Sequence, residues 1–328
     1  MITTLVYRET KLAAANPPPE TLAALRHEPG VLIWVDLAEP TEMEIRVVLE
    51  QTFAFHPLAI EDCVADSPLP KLEDYDDYLY LVMHAVDYSH NTQFTATRFT
   101  TTELDLFLGK NFLVTFHRLP LKPVQAAIER FQKDPAKVVR GPDRFLQVIL
   151  EFTVQAYHPA LELIRRSVER MEEGALRDIS ADELFPQVIL VRKDLSRLQQ
   201  IVHPQRLVAN DLANSKGRFI RALIAPHLRE CASDLGRIEA QATSWAEQVV
   251  LSFRIYLNKS GYEANQGIRV LTGITALTLP AVIVGGWYGM NFEGMHELPA
   301  RFGYFTAAAL MIAGTVGMLM FMRRKRWL

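Results

Sequence analysis

The chain has 328 residues, 49% of them hydrophobic and 22% charged, which bounds it to two or three domains of ordinary globular composition. Its 35 basic and 38 acidic residues leave a formal net charge of −3, and the basic residues form no continuous stripe before the extreme C-terminus, so nucleic acid is not an expected partner. Two cysteines, Cys63 and Cys231, lie far apart and imply neither a disulfide framework nor a thiolate metal site.

The first residues, Met1-Ile2-Thr3-Thr4, carry no basic-then-apolar pattern, and no cleaved targeting peptide is expected. Residues 1–141 read as a mixed α/β domain. Val31 to Leu37 is a β-rich run entered through Pro29-Gly30. A helix should start after Thr41, whose hydroxyl can cap it, with Glu44 three residues on at the capping-box spacing. Tyr78 to Tyr88 is strand-like. Leu104 to Phe116 is interrupted at Gly109-Lys110-Asn111, which reads as a hairpin turn. Gly141-Pro142 punctuates the end of this part.

The pattern then turns helical. Phe145 to Leu176 and Leu184 to Leu212 show apolar residues at three- and four-residue spacing, predicting a helical hairpin over 142–214. A third helical stretch starts near Gly217 and meets no strong breaker before Pro280 except Pro226 and Gly261, so a stalk helix over 215–269 should continue without interruption past Val270. No charge occurs from Val270 to Phe292 or from Phe302 to Met322. Each run can cross a hydrocarbon core of ~30 Å at ~1.5 Å per residue. They predict spans at 270–290 and 302–322, separated by an outer loop at 291–301. The basic tail at 323–328, Arg323-Arg324-Lys325-Arg326-Trp327-Leu328, should stay in the cytoplasm, which places the N-terminal part there too.

Two spans cannot enclose a water-filled path, whereas a ring of identical chains can. If the first span lines the path, Asn265, Ile268, Leu271 or Thr272, Thr275, Leu279, Val282 and Gly286 share one face. That face is polar at its cytoplasmic end and apolar in the middle, which makes Leu271 and Leu279 gate candidates by dewetting. Tyr288, Gly289, Met290 and Asn291 form its outer mouth. Unpaired helix-end carbonyls and the Asn291 amide oxygen there make a neutral polar ring. Such a ring suits Mg²⁺, which favours oxygen ligands and sheds water reluctantly. Glu293 and Glu297 in the outer loop would concentrate cations near it.

Tyr288-Gly289-Met290-Asn291, followed by Met295-His296-Glu297-Leu298, resembles the signature of the CorA family of magnesium transporters. Asn265 with Arg269-Val270-Leu271-Thr272 is similar to that family's entry to the first span. The basic tail, His56-Pro57-Leu58-Ala59-Ile60-Glu61-Asp62 and Pro70-Lys71-Leu72-Glu73-Asp74-Tyr75 also resemble its members. The resemblance implies a funnel-shaped homopentamer in the inner membrane, with a cytoplasmic α/β domain, a stalk helix and two C-terminal spans. It implies passive Mg²⁺ uptake, with Co²⁺ and Ni²⁺ often accepted, through a filter at Asn291. Asn265 would form a second polar ring, and Leu271 and Leu279 constrictions. It implies no bound cofactor, but regulation by internal Mg²⁺ held between subunits, with Glu230 on the stalk and Asp87 or another acidic residue of the α/β domain as candidate carboxylates. The sequence departs from the family at Arg229-Glu230-Cys231-Ala232-Ser233-Asp234, where relatives usually place aspartates, and at His296, where the loop usually has proline.

Two other readings stay open: a zinc-transporting relative of the same superfamily, and a membrane-anchored signalling or scaffold protein. No nucleophile elbow, phosphate loop, HExxH or dinucleotide fingerprint supports an enzyme. His56, His84, His117 and His203 are scattered and read as structural.

Overall fold

The computed structural model describes residues 2–9, 11–65, 69–87, 100–135, 141–177, 180–215, 217–290 and 302–325. It divides into two compact units, Met1–Ser252 and Phe253–Leu328.

The first unit is built on a seven-stranded sheet. Its strands are β1 (Ile2–Arg8), β2 (Lys11–Ala15), β3 (Val31–Ala38), β4 (Lys71–Asp74), β5 (Tyr78–Asp87), β6 (Thr100–Gly109) and β7 (Phe112–His117), in the order β2-β1-β3-β7-β6-β5-β4. β3 and β7 run parallel, and the other pairings among the described strands are antiparallel. β6 and β7 form the hairpin expected at Gly109-Lys110-Asn111. Alternation along β3 sends Val31, Ile33, Val35 and Leu37 to one face. There they pack with Leu22 of α1 (Pro19–Leu25) and with Ala59, Ile60 and Cys63 of the helix over Pro57–Val64. Between those two, α2 (Glu42–Ile45) starts on the Thr41–Glu44 capping box and runs into a π-helical turn, Arg46–Thr52. The Pro57–Val64 helix, α3, is capped by His56, whose Nδ1 accepts from the Leu58 amide at 3.2 Å.

The opposite face of the sheet is closed by α4 (Lys122–Lys133) and α5 (Pro142–Gln155). Trp34 lies 5.6 Å from Phe145 and 5.7 Å from Phe131, ring to ring, and Tyr7 lies 5.7 Å from Phe145. Aromatic pairs at this separation contribute beyond their area burial. The stretch expected as one helix from Phe145 to Leu176 is two, because the chain breaks at Ala156 and α6 starts at Tyr157 (Tyr157–Leu176). The break turns the fully buried Tyr157 toward the sheet. Its hydroxyl donates to the His84 carbonyl at 2.8 Å and accepts from Gln205 Nε2 at 2.6 Å, while Gln205 Oε1 accepts from the His84 amide at 3.0 Å. β4 pairs with β5 only as far as Val82. Gln205, on α7 (Ala181–Asn214), therefore satisfies a strand edge that would otherwise be bare.

α8 runs over Ala225–Tyr288, 64 residues without a break, with Pro226 in its first turn. The segment before it is tied down by Arg221, whose backbone amide and guanidinium donate to the buried Asp143 carboxylate at 2.6–3.0 Å. The second unit holds α8 from Phe253 onward and α9 (Gly303–Arg324). Both α8 and α9 contain windows long and apolar enough to cross a membrane, with mean hydropathy 1.8 and 1.9.

Candidate functional site

α8 and α9 pack as an antiparallel hairpin, and glycines set the approach. A Cβ on Gly273 would lie 3.4 Å from Met322 Cε, one on Gly285 3.6 Å from Met311 Cε, and one on Gly314 2.8 Å from Pro280 Cβ. The stripe of α8 facing α9 is therefore Gly273, Pro280 and Gly285, with Ala276, Leu277, Ala281 and Val284 also partly covered. Small residues at such places let helix backbones come close in lipid.

The residues expected to line a path lie elsewhere. Asn265, Ile268, Leu271, Thr275, Leu279 and Val282 are all exposed, Leu271 to 66%, Val282 to 65% and Leu279 to 46%. At 100° per residue their stripe is centred roughly 160° from the one that meets α9. One chain thus leaves this apolar stripe uncovered. The Thr275 hydroxyl donates to the Leu271 carbonyl at 2.9 Å, and that of Thr278 to the Thr275 carbonyl at 3.0 Å. Their protons are used within the helix, leaving hydroxyl oxygens as acceptors.

At the outer end, Tyr288 is the last helical residue, and the Gly289 amide donates to the Gly285 carbonyl at 3.0 Å. The sequence suggests that Gly289 ends the span by relaxing the backbone. The structure gives a different reason for glycine. Gly289 does not take a positive φ, but a Cβ there would lie 2.9 Å from the Gly285 carbonyl oxygen. The Met290 amide donates to the Trp287 carbonyl at 3.4 Å, a long bond at the end of the helix. Asn291, Glu293 and Glu297 lie outside the described residues.

The two carboxylates suggested for regulation belong to the first unit. Asp87 ends β5, opposite Thr100. Glu230 lies on α8 and is exposed in a cleft of about 350 Å³, together with Arg130, Arg144, Gln147, Glu151, His227 and Asp234. Arg144 is pulled below the usual guanidinium range by burial and by the nearby Arg130. Burial and the carboxylates Glu151, Asp234 and Glu230 push the Cys231 thiol up to about 12. Sequence reasoning assigned nothing to Arg130 or Arg144, since neither stands in a basic run or motif. Among the described residues no three His, Cys, Asp or Glu side chains converge as a metal-holding group.

Three comparisons bear on identity. The family model described as CorA-like Mg²⁺ transporter protein matches residues 29–324. The chain is 30% identical over 305 residues to YfjQ of Bacillus subtilis, named provisionally as a metal ion transporter, covering 90% of this chain and 89% of that protein. It is 24% identical over 298 residues to the cobalt/magnesium transport protein CorA of Thermotoga maritima, covering 90% of this chain and 83% of that one. In fold it is similar to the complete structure of the CorA magnesium transporter of Methanocaldococcus jannaschii, with a TM-score of 0.80 over 99% of this chain and 98% of that one, at 18% identity. The chain belongs to the CorA-like Mg²⁺ transporter family: it is a membrane transporter of divalent cations rather than an enzyme, with a cytoplasmic α/β domain followed by two membrane-crossing helices.

Proposed function

We propose that the protein takes up Mg²⁺, and with it Co²⁺ and Ni²⁺, through a pore at the centre of a homopentamer whose lining is the stripe of α8 from Asn265 to Val282. The observation that carries this reading is the exposed stripe itself. α9 occupies the other side of α8, which leaves this stripe free to face further copies of the chain around a central path. Asn265 then forms a polar ring at the cytoplasmic end. Leu271, Leu279 and Val282 form dry collars, and Ile268 and Thr275 lie between them. Tyr288, Gly289, Met290 and Asn291 form the outer filter, where amide and helix-end oxygens hold Mg²⁺ through its water shell. Glu293 and Glu297 raise the local cation concentration. The corresponding domain scheme is an α/β domain over 1–141, a helical hairpin over 142–214, a stalk over 215–269, spans over 270–290 and 302–322 around the loop 291–301, and a tail over 323–328. No resident cofactor is needed. Internal Mg²⁺ is the expected regulator, through Asp87 of one subunit and Glu230 of the next. In the Glu230 cleft Arg130 and Arg144 offset two of the three carboxylates Glu151, Glu230 and Asp234, so this site should hold a dication weakly.

The test is Mg²⁺ uptake into proteoliposomes, read with an enclosed Mg²⁺ indicator, for wild type and Asn291→Ala, with oligomer size measured by light scattering. The expected result is uptake by a pentameric wild type and none by a pentameric Asn291→Ala. Uptake of Zn²⁺ without Mg²⁺ would establish the zinc-transporting alternative. Uptake of neither ion would favour a scaffold role.

A further inference from the structure

The three close approaches between α8 and α9 differ in kind. At Gly273 and Gly285 the facing atom is the Cε of Met322 or Met311. Methionine has three rotatable side-chain bonds and can yield. At Gly314 the facing atoms are Cβ and Cγ of Pro280, and the nearer is 2.8 Å from where a Cβ would stand. A pyrrolidine ring is fixed to its own backbone and cannot turn away. Among its glycine contacts the hairpin therefore has a rigid one in the middle and a soft one on each side, seven residues before Pro280 and five after it along α8.

Pro280 is also where α8 can bend. Proline has no N–H, so the Ala276 carbonyl loses its intrahelical partner, and the ring crowds that carbonyl. Leu279 precedes it, Val282 follows it, and Leu271 lies on the far side of the Gly273 contact.

We propose that Gly314 of α9 is a positioning residue for transport: it seats the Pro280 ring as a fixed fulcrum, about which α8 tilts while the methionine contacts on either side give way. The proposal rests on the reading of α8 as the lining helix. In a tilt of this kind the Leu271 end and the Tyr288 end of α8 move in opposite directions, so one motion serves both the inner collar and the outer mouth.

The experiment compares Gly273→Ala, Gly285→Ala, Gly314→Ala, Pro280→Gly and the double variant Pro280→Gly/Gly314→Ala in proteoliposomes. Gly314→Ala should lower maximal Mg²⁺ uptake by about tenfold or more with the half-saturating Mg²⁺ unchanged, whereas Gly273→Ala and Gly285→Ala should stay within about twofold of wild type. Adding Gly314→Ala to Pro280→Gly should cost nothing further, because the small residue has only moved to the other helix. Equal loss at all three glycines, no loss at Gly314, or a further loss when Gly314→Ala is added to Pro280→Gly would overturn the fulcrum. A second readout is independent of flux: the rates at which a charged thiol reagent modifies Ile268→Cys and Val282→Cys, with and without Mg²⁺. Opposite changes at the two positions, absent in the Gly314→Ala background, are expected. Parallel changes or none would refute the tilt. If the wild type takes up no Mg²⁺, the conduction reading fails by itself, and the thiol rates still decide the fulcrum.

Discussion

Gly289 and Asp105 show how one side chain, or its lack, constrains this chain. A methyl group on Gly289 would press on the Gly285 carbonyl oxygen, so Gly289→Ala must open the last turn of α8, where the proposed filter begins. We expect Gly289→Ala to assemble normally and to lose about tenfold or more of Mg²⁺ uptake, measured in proteoliposomes beside size analysis of the purified oligomer. Asp105 is buried on β6, where it accepts a hydrogen bond from Tyr80 Oη at 2.6 Å. Burial first, then the neighbouring Glu103, raises its pKa well above the ordinary carboxylate value. The native state therefore keeps this proton at pH values where the unfolded chain has released it. The associated stability is fully present below about pH 4 and is lost as pH rises through the raised native pKa. Asp105→Asn can stay hydrogen-bonded to Tyr80 but does not titrate. Thermal unfolding of the detergent-solubilised protein between about pH 4 and 8 should show wild type losing stability relative to Asp105→Asn as pH rises. A constant difference would place the titration elsewhere. The same buried environment raises the Cys63 thiol far above its usual range, so Cys63 should resist alkylation until the domain unfolds.

At the scale of elements, the Asp143–Arg221 pair fastens the start of α5 to the segment leading into α8. Asp143 is almost fully buried, while Arg221 keeps 37% of its side-chain surface in solvent. Breaking a fully buried pair costs ~3–5 kcal/mol, and partial hydration of Arg221 lowers that to about 2–3 kcal/mol for Asp143→Ala. The corresponding fall in unfolding temperature, with Asp143→Asn intermediate, is the check. Local signals made several elements readable: the β-branched run of β3, the Thr41–Glu44 capping box, the Gly109–Asn111 hairpin and the two uncharged spans. Others carried no such signal. β2, Lys-Leu-Ala-Ala-Ala, has the composition of a helix and is a strand because it pairs along β1. The break at Ala156, by contrast, had a local cause in Pro159, which has no N–H for the Gln155 carbonyl and whose ring crowds it; the bonding of Tyr157 with His84 and Gln205 is the long-range part that no local signal shows. Pro186 and Pro204 fall inside α7 without ending it. The residues four before them, Asp182 and Gln200, are solvent-exposed, so water can satisfy the freed carbonyls.

For the molecule as a whole, the division at Ser252 predicts that residues 1–252 form a water-soluble, cooperatively unfolding domain when expressed alone, with no Mg²⁺ flux. Calorimetry and extraction without detergent would test this; aggregation or gradual melting would count against it. The family was legible in the sequence because one short motif stands in a fixed place relative to two spans. Asn291, Glu293 and Glu297 were proposed from that motif and from their place beyond the first span, and lie outside the described residues. Three- and four-residue spacing grouped the proposed lining stripe, and the packing of α9 leaves it exposed together with most of α8 that does not face α9. Glu230 was found by its place on the stalk. The arginines beside it come from α4 and α5, far away in sequence.

The order of the sheet has a consequence for biosynthesis. β3 cannot find its parallel partner until residues 112–117 have been made, yet the whole sheet is available more than 150 residues before the first span begins at Val270. At ~5–20 residues per second, that interval is roughly 8 to 30 s, ample time for a domain to fold on the ribosome. By the time a hydrophobic segment is offered for insertion, the chain ahead of it is a compact body that cannot be threaded through a translocation channel. The cytoplasmic address of the α/β domain is thus set by the order of synthesis as well as by the arginines that close α9.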